Sequence, residues 1–99
     1  MKQLVYQPAA VADVRASFDW HERQRKGLGD EFLAALARAE DVARANPFAY
    51  RVIRRDARRV MLRRFPYQLI FRVVADAIVV VACFHGRRSP KRLESRDDG

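Results

Sequence analysis

The chain holds a single cysteine, Cys83, which rules out a disulfide framework and a cysteine metal site. Cys83 stands between Ala82 and Phe84 in an apolar run, where a thiol behaves as a small hydrophobe. With no basic start followed by an apolar centre in the first residues, a leader is not expected. No apolar run nears the roughly 18 residues of a membrane-spanning helix. The longest, Ala77–Phe84, has the length of a strand. A P-loop, a dinucleotide-binding glycine pattern and zinc-ligand spacing are also lacking. Asp13, Asp19 and Glu22 make no ligand set with the available histidines. No cofactor, metal or membrane partner is therefore expected, and a reducing cytoplasm is the simplest compartment. At 99 residues the sequence implies one domain, 1–99, with a core too modest to enclose a cofactor.

What the chain has in excess is positive charge, +8 at pH 7, and it is unevenly placed. Residues 1–50 hold seven basic and seven acidic side chains, whereas residues 51–99 hold thirteen and five. The whole surplus thus belongs to the second half, which points to an anionic partner on one face, nucleic acid or an acidic protein segment. Seventeen of the twenty cations are Arg, as codon bias in a GC-rich genome gives. Bias accounts for Arg over Lys but not for one neutral half and one basic half.

Lys2–Tyr6 alternates enough for a short strand, and Pro8 then sits where a helix starts and a missing N–H costs nothing. Val11, Val14, Phe18 and His21 or Glu22 recur at helical spacing up to about Arg25. Gly27-Leu28-Gly29 breaks that helix, and Asp30 is expected to cap the next. Phe32, Leu33, Leu36, Ala39, Val42 and Ala43 carry a second apolar stripe to Asn46, where Pro47 stops it. Two antiparallel helices follow, with alanines that allow close packing. Beyond Tyr50 the period falls to two. Val60–Arg64, Tyr67–Val74 and the run 78–84 read as strands, the last apolar on both faces and so central. A strand start at Tyr50–Val52 gives way to Arg54–Arg59, too polar to continue it. Short connections make the neighbours antiparallel. The fold class is α+β: an N-terminal strand, then an antiparallel helical hairpin packed on a small antiparallel sheet, β-α-α-β-β-β, with a short C-terminal tail.

The apolar run ending in Phe65-Pro66-Tyr67, the Val/Ile-rich run after it and the exit His85-Gly86-Arg87-Arg88-Ser89-Pro90 form an ordered set. Leu28-Gly29-Asp30-Glu31-Phe32 opens the second helix and Asn46-Pro47-Phe48-Ala49-Tyr50 closes it. In this order the chain resembles the RelE/ParE superfamily of bacterial toxins, the toxic halves of type II toxin–antitoxin pairs. The resemblance implies a cognate antitoxin and a hetero-oligomer with it. RelE-type ribosome-dependent nucleases are similar to this chain but carry Arg in a Tyr-Arg-Leu-Val-Tyr strand, where Gln68 stands here. They also keep a Tyr or His near the C-terminus, and none follows His85. A neutral amide cannot replace a guanidinium, so the nuclease set is incomplete. The ParE branch, whose members poison DNA gyrase by binding, needs neither group and is the favoured reading. The alternatives are an mRNA endoribonuclease on the ribosome and an inactive relative that only binds antitoxin.

Two groups of residues are candidates for contact. His85, Arg87 and Arg88 end the central strand. They form either an anion-gripping corner or a solvated strand exit with a turn glycine. On the nuclease reading these three are the catalytic set. Arg59, Arg63 and Arg72 belong to a wider arginine cluster, and Arg63 and Arg72 are expected to face away from the helices. Their partner is nucleic-acid phosphate, an acidic antitoxin segment, or only water along an edge kept from aggregating. Trp20 reads as hairpin packing. Exposed, it would mark a partner surface instead.

Overall fold

A computed structural model describes residues 2–86 together with Leu93 and Arg96. The chain runs β1 (Gln3–Tyr6), α1 (Pro8–Gln24), α2 (Leu28–Ala45), a 3-10 turn (Pro47–Ala49), β2 (Val52–Arg54), β3 (Ala57–Met61), β4 (Tyr67–Val74) and β5 (Ala77–His85). The strands form one sheet in the order β1-β5-β4-β3-β2. The α+β class and the helical hairpin stand as expected. Two features of the sheet differ.

First, β1 lies parallel to β5, Gln3 opposite Ala77 and Tyr6 opposite Val80, so the sheet is mixed. The helices and three strands separate the two, and no tight turn dictates their direction. Second, the polar stretch after Tyr50 folds as an extra hairpin, β2–β3, turning at Arg55-Asp56. Arg55 adopts φ 51°, and Ala57 beyond it is fully buried. Arginine stems make that hairpin possible. Arg58 lies 5.2 Å over the Phe48 ring and donates to the Tyr50 carbonyl at 2.8 Å.

The helix break also differs. Asp30 lies inside the first turn of α2, and Gly27, in the left-handed region at φ 90°, is the capping position. The cap comes from the preceding helix. Glu22 accepts from the backbone N–H of Gly27 at 3.0 Å and of Gly29 at 2.9 Å. These two bonds hold the Glu22 carboxyl below its ordinary pKa. The helices meet closely at Gly29, where an added Cβ would stand 2.6 Å from Phe18 Cε2.

Both faces of the sheet are covered. The helix side holds the larger core, in which Phe32, Leu69, Phe71, Ile78 and Val80 are wholly buried. Side chains of this size contribute about 1.5–3 kcal/mol each on burial. On the far side Leu93 closes a second cluster over Ile70, Val81, Phe84 and Ala57. A bulge in β5, where Ile70 faces Ala82 and Phe71 faces Val80, leaves Val81 unopposed there. β1 ends opposite Val80, so the rest of β5 needs other partners. Asp13 Oδ2 accepts from Cys83 N–H at 3.0 Å, and Arg96 Nη1 donates to the Val81 carbonyl at 2.8 Å.

Candidate functional site

A concavity of about 820 Å³ lies between the C-terminal half of α1 and the strand ends at Tyr67 and His85. α1 places Trp20, His21 and Arg23 on one side, and Pro66, Tyr67 and His85 stand opposite. Its position follows from the register. Tyr67 opens β4 directly across from His85 at the end of β5, and their rings meet edge to face at 5.5 Å. The turn below is closed by Gly86 N–H donating to the Pro66 carbonyl at 2.6 Å.

The floor is an aromatic stack. His21, only 4% exposed, lies parallel to Phe32 at 4.9 Å and perpendicular to Phe65 at 5.2 Å. Its Nδ1 donates to the Ser17 carbonyl at 2.6 Å, which fixes the ring's orientation and tautomer. Trp20 packs edge-on against His21 at 5.0 Å yet stays half exposed. The helical period leaves His21 or Glu22 on the core face, and the buried one is His21. Its role as a cleft floor has no local signature, because the opposite wall lies more than forty residues further along the chain.

Among the described residues, His85, Arg59, Arg63 and Arg72 do not converge on one surface. His85 lines this cleft. Arg87 and Arg88, expected beside it, lie outside the described residues. Arg59 and Arg72 do face away from the helices, since their register partners Ile70 and Val79 belong to the far-side cluster. Arg72 Nε lies 2.8 Å from Asp56, so an acid of the chain itself offsets its charge. Arg59 reaches toward Gln68 Oε1 at 3.5 Å. Arg63 is not on a strand at all. β3 ends at Met61, and Arg63 sits in the following bend, lining a groove with Arg38 and Asp41 of α2. The cause is the turn, where Leu62 N–H donates to the Tyr67 carbonyl and Arg64 takes φ 71°. The far face is thus less open than the charge pattern alone implies.

Gln68, a neutral amide on β4, is 6% exposed. No group of three or more His, Cys, Asp or Glu among the described residues is arranged to hold a metal. No described helix is long and apolar enough to cross a membrane.

The fold is shared with solved toxin–antitoxin structures. A structure of the chromosomal ParDE system from P. aeruginosa superposes with a TM-score of 0.76 at 18% identity, covering 86% of this chain and 96% of that one. The intact E. coli RelBE toxin–antitoxin complex gives 0.66 at 17% identity, over 89% of this chain and 100% of that one. The isolated E. coli RelE toxin gives 0.65 at 17% identity, over 99% and 98%. No curated protein sequence gives a significant match. The family model described as the ParE toxin of the type II toxin–antitoxin system, parDE, matches residues 4–90. With that match running through nearly every element of the fold, the chain belongs to the ParE family of type II toxins.

Proposed function

We propose that this toxin acts by binding DNA gyrase, so that cleaved DNA accumulates, and that a cognate antitoxin holds it silent in a hetero-oligomeric complex. The observation that carries this reading is Gln68. It is a buried neutral amide on the strand where RNA cleavage calls for a cation, and it is backed by family membership over residues 4–90. Binding needs shape and charge but no developing negative charge to stabilise, so the amide is no handicap. The partner that silences it is expected to be acidic where it meets the second half of the chain, in keeping with the net charge of +8. On this reading the protein works in the cytoplasm, with gyrase.

Expression without the antitoxin tests the reading in cells. Growth arrest with an SOS response and filamentation is the expected outcome, and harmless expression contradicts it. One observation favours a second reading, ribosome-dependent mRNA cleavage. His85 and Tyr67 are neighbouring groups that can both handle protons at the mouth of a cleft. Cleavage of translated mRNA that disappears on His85→Ala would establish that reading over the first.

A further inference from the structure

We propose that the cleft between α1 and the Tyr67–His85 strand ends receives an unstacked base of single-stranded nucleic acid. Three observations meet there. Trp20 offers a half-exposed indole at the rim, and the described structure gives that indole no core role beyond its edge contact with His21. The floor carries an acceptor without a donor. With Nδ1 committed to the Ser17 carbonyl, His21 Nε2 meets no hydrogen-bond partner among the described residues, although the residue is 96% buried and lines the cleft. That atom is open to the cleft, where an N–H of a bound group can take the place of water. The rim is basic. Arg23 has no ion-pair partner among the described residues, and the chain carries +8 overall.

A nucleobase satisfies all three together. Its face stacks on a ring, an N–H on its edge meets the His21 acceptor, and its phosphate lies near Arg23. A duplex does not, because its bases are already stacked and paired. The floor is preorganised, since His21 is held between Phe32 and Phe65 and cannot turn away. An acidic protein segment bearing an aromatic residue is the competing occupant. Phenylalanine would leave Nε2 unmet, whereas tyrosine or tryptophan would meet it, so a tyrosine-bearing peptide is the control that separates the two occupants. The inference is independent of whether gyrase or the ribosome is the target.

The chain has one tryptophan, so its emission reports the cleft directly. Short single-stranded DNA and RNA oligonucleotides, the same DNA as duplex, and an acidic tyrosine-bearing peptide are titrated against the intact protein. Quenching by a single strand well before the duplex is expected. Anisotropy of a labelled single strand then compares variants whose circular dichroism and Tm match the wild type. Trp20→Ala should weaken binding at least about five-fold, the loss of one stacked base. Arg23→Glu, at an exposed position that folding does not need, should weaken it and flatten its salt dependence. Equal binding of duplex and single strand, unchanged binding by both variants, or quenching by the peptide alone would overturn the proposal.

Discussion

Arg96 and Asp13, eighty-three residues apart, meet as a two-pronged pair, Nη1 to Oδ2 at 2.9 Å and Nη2 to Oδ1 at 3.1 Å. Both side chains are less than one-fifth exposed, and the same carboxylate also accepts from Cys83 N–H. Arg96 covers the Phe84 ring at 5.1 Å, beside the buried Leu93. One acid on α1 therefore ties Arg96 to the part of β5 that β1 leaves uncovered.

Removing that acid leaves a part-buried guanidinium with only the Val81 carbonyl, and the Cys83 N–H without its acceptor. Asp13→Ala should cost about 1.5–3 kcal/mol in urea unfolding, the range for hydrogen bonds to charged groups. Asp13→Asn, which keeps one acceptor, should cost less. Equal stability of all three proteins would show that the pair adds nothing to the fold.

Gly29→Ala should destabilise the protein even though alanine is the better helix former. The new Cβ would stand 2.6–2.7 Å from two Phe18 ring atoms and 2.9 Å from Glu22 Oε1. Overpacking of this kind costs about 1–3 kcal/mol. A rise in Tm would mean that the two helices part easily at this crossing.

Stability should fall on acidification partly through Glu22. Its folded pKa lies below its unfolded value because Gly27 and Gly29 N–H bond the charged form. The contribution is complete above the unfolded pKa and disappears as pH drops through the folded one. Thermal melts of wild type and Glu22→Gln across the acid range should converge at low pH and separate above it. A gap independent of pH would contradict this.

Cys83 should resist thiol reagents in the native state. Burial, with Asp13 and Glu40 nearby, pushes its thiol up to about 12, and the residue is 2% exposed. Labelling should wait for unfolding in urea. Rapid modification of the folded protein would mean that β5 opens locally.

Much of this architecture is legible in the sequence because the signals are local. Pro8 and Pro47 bracket the helical region, and observed helices at Pro8–Gln24 and Leu28–Ala45 match the expected stripes to within a few residues. The interior strand β5, flanked by β1 and β4, shows in the run from Ala77 to Phe84. What escapes is non-local or carried by long polar side chains. The β2–β3 hairpin hides in an arginine-rich stretch because stems, not headgroups, pack there. The cap on α2 comes from Glu22 on the other helix, so Asp30 is a natural but mistaken choice. The far-side cover depends on Leu93 and on a pair joining the two ends of the chain. The cleft sets Trp20 across from His85 only once the sheet has formed, and Arg63 leaves the strand because Arg64 turns.

The most direct measurement is a supercoiling and DNA-cleavage assay with purified gyrase, run beside an in-translation mRNA cleavage assay on the same protein preparation. Trapped cleavage complexes, relieved by the antitoxin and accompanied by intact mRNA, are the predicted result. Cut mRNA together with unimpaired gyrase would contradict the account.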